Sequence, residues 1–232
     1  MSLNIKKGNI FTTDKQTIVN TINCVGVMGA GLALECRLRY PDMHEKYKDY
    51  CDQNMIKIGS LWIYKTNNRL IMNFPTKKHW KDPSKKQYLH EGLKKFTQTY
   101  KSRGIESIAF PVLGSDKGGI PQDESLDIME QYLSRIDLDI EIYIYDPEAR
   151  DDIFGEVKDW LLSNNIQDIS KATGIGTNYL ETVTNALENP RIVQLNQLAS
   201  VKGIGIKTLE KIYTVATNNK GSIEMISQKP LF

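Results

Sequence analysis

Two stretches of this chain carry residue types at spacings that suit phosphate chemistry. The first is Asn20-Thr-Ile-Asn-Cys-Val-Gly-Val-Met-Gly-Ala-Gly-Leu-Ala33, with three glycines directly after an apolar run. Glycine lets a backbone approach a phosphate closely, and a helix starting there aims unpaired N–H groups at an anion. The spacing matches neither a dinucleotide fingerprint nor a P-loop, so a tight turn packed for strand–helix contact explains it equally well. The second stretch, Gly114-Ser115-Asp116-Lys117-Gly118-Gly119-Ile120, has the same character and also follows an apolar run. Two such loops on one sheet can converge on a single diphosphate, each supplying backbone donors. Between them in sequence lies a cationic segment, Lys77, Lys78, Lys81, Lys85 and Lys86, interleaved with Trp80 and Tyr88. Cations alternating with aromatic rings suit a phosphate backbone with splayed bases, although a solvated loop has the same composition.

Positioning such loops takes a sheet. Thr17–Ile22 reads as a buried strand, then the glycine turn, then a helix from about Gly31 that stops before Pro41. Ser60–Tyr64 and Leu70–Phe74 read as two strands joined by a turn at Asn67-Asn68. Tyr88–Tyr100 carries Leu89, Leu93 and Phe96 at helical spacing. Ser107–Leu113 is a strand entering the second glycine loop, Leu126–Leu133 a helix, and Glu141–Tyr145 a last strand. Strand, glycine loop and helix in repetition predict an α/β fold whose ligand sits at the strand ends. The pattern breaks near Asp146–Gly155, and beyond it only helical periodicity remains. The expected organisation is therefore an α/β domain over residues 1–150 followed by a small all-α domain over 156–232.

Composition bounds the function classes. With 232 residues, 40% apolar and 25% charged, the chain is an ordinary globular one with enough material for a real core. A net charge of +2 demands no nucleic-acid partner by itself. Cys24, Cys36 and Cys51 show no metal or disulfide spacing, so neither a metal nor a disulfide framework is expected. Met1-Ser2-Leu3-Asn4 has no apolar leader and no stretch has transmembrane length, which predicts a cytoplasmic protein without a membrane partner.

At the first loop the likeness to a known family becomes specific. Asn20–Ala33 resembles the first ligand loop of the macrodomain family. Asn23-Cys-Val-Gly-Val-Met-Gly29 and Asn73-Phe-Pro-Thr-Lys-Lys-His-Trp80 resemble its DarG branch, antitoxins that remove ADP-ribose from DNA. Gly8-Asn9-Ile10-Phe11 sits where macrodomains carry Gly-Asp-Ile/Leu, and the resemblance covers roughly residues 1–150. It implies a mixed central sheet with helices on both faces, ADP-ribose as substrate or product, and no cofactor. Asn9, beside Ile10, would face the adenine, with an uncharged amide in place of the family's carboxylate. Gly26, Val27, Met28 and Gly29, leading to Gly31, would line the diphosphate through backbone N–H groups, and Asn23 would hold the distal ribose. Gly114, Ser115, Asp116, Lys117, Gly118 and Gly119 would close over the phosphates, and Tyr145 would pack on adenine. Lys77 would act at C1″ of the distal ribose, attacking its opened form or stabilising charge on it. His79 and Asp116 are candidates for proton transfer, but Asp116 stands where the family has a small residue. Where a relative branch carries a catalytic Asp, this chain has Gly118.

Residues 169–183 and 198–212 repeat at a spacing of 29: Gly174-Ile-Gly176 with Leu180-Glu181 matches Gly203-Ile-Gly205 with Leu209-Glu210. The second copy resembles a helix-hairpin-helix, in which Gly-x-Gly and the next helix N-terminus grip a nucleic-acid phosphate. Lys202, Gly203, Gly205, Lys207 and Thr208 are the DNA-binding candidates; in the first copy Thr173, Gly174, Gly176, Thr177 and Asn178 correspond, with no cation among them. The first copy also resembles a repressor-type helix-turn-helix with Thr177–Tyr179 in the major groove. A helical bundle for protein contacts is the third reading, since eight Lys/Arg against seven Asp/Glu from Glu156 onward make no strong basic field. The whole predicts an ADP-ribosyl glycohydrolase acting on DNA, antitoxin-like, with a possible transferase toxin as partner. A non-catalytic ADP-ribose reader and a hydrolase of protein-linked or small ADP-ribose derivatives are the competing functions.

Overall fold

A computed structural model describes residues 2–218. They form two compact units, one ending at Tyr145 and the other starting at Asp146.

The first unit is built on a six-stranded sheet of order β1-β6-β5-β2-β4-β3. Its strands are β1 (Ser2–Gly8), β2 (Thr17–Ile22), β3 (Trp62–Lys65), β4 (Leu70–Pro75), β5 (Ser107–Pro111) and β6 (Asp139–Tyr145). All neighbours are parallel except β3, which runs antiparallel to β4 at the edge. Helices α1 (Gly31–Arg39), α2 (Pro41–Asp52), α3 (Lys86–Thr99) and α4 (Gln122–Leu133) supply the covering layers. The central strands read as continuous apolar runs because both faces of the sheet are buried. Alternate residues then enter different cores. Val19, Met72, Ile108, Phe110, Ile140 and Ile142 pack with Leu89, Leu93 and Phe96 of α3 and Met129 of α4. Ile18, Ile71, Ala109 and Tyr143 pack with Cys36 of α1 and Met43, Tyr47 and Cys51 of α2.

Two elements escaped the sequence reading. Strand β1 is mostly solvent-facing and has no apolar run; it exists because its backbone pairs with β6 along its whole length. Helix α2 starts with Pro41 in its first turn, a position where the missing N–H costs nothing. Its buried stripe, Met43, Tyr47 and Cys51, recurs every four residues and was visible. Strand β3 begins at Trp62, two residues after the expected start, and β5 ends at Pro111, short of Leu113.

The second unit contains α5 (Phe154–Ser163), α6 (Ile166–Thr173), α7 (Thr177–Leu187), a 3-10 turn (Leu195–Ser200) and α8 (Ile206–Asn218). The framing aliphatics of the repeat form its core in matched pairs: Ile169 with Leu198, Ile175 with Ile204, Leu180 with Leu209, Val183 with Ile212. Gly174 and Gly203, both left-handed, make the turns. In each copy the carbonyl of the second glycine accepts from the N–H groups three and four residues on, starting α7 and α8 alike. The copies differ in their first helix, which is α-helical in one and a short 3-10 turn in the other.

Candidate functional site

Because five strands are parallel, their C-terminal ends lie along one edge of the sheet, where α/β ligands bind. That edge gathers the predicted residues in spatial order. Gly8 pairs with Tyr145 across β1 and β6, so Asn9 and Tyr145 share one end. The second glycine loop follows β5, the first follows β2, and the Lys77 segment follows β4. The two glycine loops approach each other: a Cβ placed on Gly31 would lie 3.9 Å from the Asp116 carboxylate. Lys77 Nζ donates to the Lys117 carbonyl at 2.6 Å, and Cys24 N–H donates to the Lys78 carbonyl at 3.1 Å. The segment thus touches both loops, the half-buried Lys77 through its amine on the second and Lys78 through its backbone on the first.

The first loop is braced from inside. Asn23 is buried; its Oδ1 accepts from Val25 N–H (3.0 Å), Val27 N–H (3.3 Å) and the Tyr47 hydroxyl (3.0 Å). Its Nδ2 donates to the Val27 carbonyl at 2.6 Å, and Tyr47 also donates to the Asn23 carbonyl at 2.8 Å. With each bond worth about 1 kcal/mol net, this one amide largely sets the loop's shape. The role expected of Asn23, holding a ribose, is therefore joined by a scaffolding one. The N–H of Gly26 faces Cys51, and that of Val27 is taken by Asn23. The outward donors lie further on: Gly29, Ala30 and Gly31 are exposed, and α1 begins at Ala30 without a side-chain cap. Its first N–H groups have no intrahelical partner, which makes this the stretch that receives an anion. Met28 and Ile10 bury their side chains in the core and can contribute only backbone.

Asn9 is buried and its Oδ1 accepts from Phe11 N–H at 3.0 Å, capping a 3-10 turn at Ile10–Thr12. Beneath that turn the Arg39 guanidinium lies 3.9 Å over the Phe11 ring and pairs with Glu35 at 2.7 Å, both side chains buried. Tyr145 is exposed at the strand end.

In the second loop Gly114 has φ +65° and its Cβ would meet Ile120, Ser84 and Leu89 at 3.0–3.2 Å, so no larger residue fits. Gly118 is held against Ser84, whose N–H donates to the Gly118 carbonyl at 2.9 Å. Ser115 Oγ donates to the Val112 carbonyl. Asp116 is exposed at φ +44°, a left-handed position rare outside glycine, and Lys117 and Gly119 are exposed beside it. His79 accepts from Lys81 N–H through Nδ1 at 3.3 Å and stacks on Trp80. Burial pushes the thiols of Cys24 and Cys51 up to about 11, so neither is a nucleophile near neutrality. Sequence reasoning missed Tyr47, Ser84 and the Glu35–Arg39 pair. Only α2's stripe and the four-residue spacing of Glu35 and Arg39 signalled any of them.

A Macro domain model matches residues 19–129 of this chain. The macrodomain of Mycobacterium tuberculosis DarG superposes with a TM-score of 0.59 at 35% identity, covering 61% of this chain and 97% of that one. The chain belongs to the macrodomain family. A DNA ADP-ribosyl glycohydrolase of Thermus aquaticus is 36% identical over 149 residues, 62% of this chain. Thermosipho africanus DarTG, solved in complex with ADP-ribose, matches at 31% identity and TM-score 0.58, over 64% of this chain and 43% of that one. The chain spans about two fifths of the length of the curated relatives it matches, 41% in the Thermus aquaticus case. The mixed sheet with helices on both faces is thus the macrodomain's. Among the described residues no helix is long and apolar enough to cross a membrane.

The second unit offers a separate surface. Gly174, Gly176 and Tyr179 of one hairpin and Gly203, Gly205, Lys207 and Thr208 of the other line one groove. Lys202 and Lys207 are exposed, while Thr208 is buried and its N–H donates to the Gly205 carbonyl at 3.0 Å within the turn. The first hairpin, with no cation at its turn positions 173–178, receives one from α8: Lys211 Nζ donates to the Gly174 carbonyl.

Proposed function

We propose that this chain is an ADP-ribosyl glycohydrolase that removes ADP-ribose from DNA, in an antitoxin-like role opposite a DNA-modifying transferase. One observation carries the reading: at the carboxyl edge of a macrodomain sheet the Lys77 amine donates to the Lys117 carbonyl of the second glycine loop at 2.6 Å, while the backbone of Lys78 beside it bonds Cys24 of the first. ADP-ribose laid along that edge has its adenine at Asn9 and Tyr145, its diphosphate at the N-terminus of α1 and the 114–119 loop, and its distal ribose at Asn23 and Lys77. An amine at C1″ attacks the opened ribose or stabilises charge as the glycosidic bond breaks. Water supplies the new hydroxyl, and the departing base nitrogen takes a proton. The similar Thermus aquaticus protein is a DNA ADP-ribosyl glycohydrolase, which supports cleavage of the same bond.

The second unit we read as a double helix-hairpin-helix that grips nucleic-acid phosphates. Two glycine hairpins facing one groove, with Lys207 and Lys211 among its lining residues, support this over a single recognition helix. Tethering a weak backbone binder to a catalytic pocket raises the local substrate concentration. Release of ADP-ribose from an ADP-ribosylated oligonucleotide tests the proposal. Turnover by wild type and its loss in Lys77→Ala are expected; undiminished turnover by the variant overturns it. Binding of ADP-ribose with no turnover would instead identify a reader.

A further inference from the structure

Three residues beyond Lys77 a large aromatic, Trp80, is left in the open, 48% exposed. The segment bearing it is fixed at both ends. Thr76 N–H donates to the Ile22 carbonyl at 2.9 Å, the Lys78 carbonyl accepts from Cys24 N–H, and Asp82 N–H donates to the His79 carbonyl at 3.1 Å. The His79 ring stacks on the indole at 5.7 Å between centroids and 28° between planes, which backs and orients it. The exposed Lys81 ammonium lies 5.1 Å from the ring and is free to exchange that contact for a phosphate. An exposed indole held in a pinned turn presents a pre-oriented flat face on which another ring can stack.

Sheet order tells which part of a ligand lies there. Asn9 and Tyr145 follow β1 and β6, whereas Trp80 follows β4, with β5 and β2 between them. At about 4.8 Å per strand, β4 lies some 14–19 Å across the sheet from β6 and β1, which puts the segment bearing the indole well away from the adenine end. The indole is therefore on the side of the ribose that holds the leaving group, not within the ADP-ribose pocket. Resting on the glycohydrolase reading, we propose that Trp80, backed by His79, is a stacking platform for the nucleobase released from ADP-ribose. The substrate strand is accordingly unpaired at that base. Only an unstacked base can lie flat on a side chain, and base–aromatic stacking tolerates any base sequence around it.

Full-length wild type, Trp80→Ala and Trp80→Phe should be compared on a single-stranded oligonucleotide carrying ADP-ribose on a base. Trp80→Ala is expected to raise KM about tenfold, the loss of one stack, with kcat within about twofold. Affinity for free ADP-ribose should stay unchanged, and Trp80→Phe should restore KM. An unaltered KM, or a loss of ADP-ribose affinity in step with KM, overturns the platform. A second readout needs no turnover. An unmodified single-stranded oligonucleotide should quench wild-type tryptophan emission more than that of Trp80→Phe, and a duplex of the same sequence should not. Equal quenching in both proteins overturns the platform, whereas an inactive chain that shows the difference loses only the glycohydrolase reading.

Discussion

The chain builds glycine turns in two regions, by different means. In the macrodomain the glycine loops are long and are shaped by side chains beneath them, Asn23 and Tyr47 under one and Ser84 under the other. In the helical unit each loop is one turn, Gly-Ile-Gly, with its isoleucine buried; in the first copy Ser170 and Thr173 of the preceding helix also bond the Ile175 backbone. The long loops leave a space in which Lys77 can stand; the short ones bring their own N–H groups to the surface with lysines at the margin. A cleft with a reactive amine can change a ligand, and a ridge of backbone donors can only hold one.

The sharpest way to break this contrast is at Lys77. Lys77→Ala should lower kcat by roughly 100-fold or more while ADP-ribose binding by calorimetry persists. Lys202→Ala with Lys207→Ala should leave kcat alone; a fall in kcat would mean that the helical unit takes part in chemistry. Next, Asn23→Ala removes the acceptor of three donors and should destabilise the macrodomain by about 2–3 kcal/mol in chemical unfolding. Gly26–Gly31 should become more susceptible to hydrogen exchange, with the helical unit's protection unchanged.

A third test is by pH. The Lys15 and Ser2 contacts hold the Asp139 carboxyl below its ordinary range. At Glu141 burial pushes the carboxyl up, but bonds from Lys6, Thr13 and Tyr143 outweigh it and hold the group low. Groups depressed on folding stabilise the fold above their unfolded pKa, near 4, and that contribution is lost as pH falls through the folded value. Glu141→Gln should therefore lower the thermal midpoint at pH 7, by the equivalent of about 1 kcal/mol, and lessen its fall between pH 5 and 3. Smallest of all, each of Lys202→Ala and Lys207→Ala should weaken oligonucleotide binding modestly and reduce the salt slope by about one.

Much of this was legible beforehand. Buried strands announce themselves as apolar runs, so β2 and β4 were found within a residue, and the glycine loops follow strands because strand ends need turns. The repeat at a spacing of 29 showed the second unit's core pairs directly, since each aliphatic has a counterpart of like size. Strand β1 was not legible, because its stability is backbone pairing to β6, and a peptide ladder leaves no side-chain pattern. Nor could Tyr47 be assigned to the loop at Asn23, twenty-four residues away.

The amino-acid sequence alone determined the alternation of strands, glycine turns and helices, the lysine-rich segment and the duplicated hairpin, all of which are local patterns of period and spacing. Tertiary structure alone decided that Lys77 meets the carbonyl of Lys117, that Lys211 serves the hairpin of Gly174, and that the N–H groups of Gly26 and Val27 face inward. Those meetings depend on strand order and on helix packing, which join residues far apart in the chain and so leave no mark on the sequence near either partner.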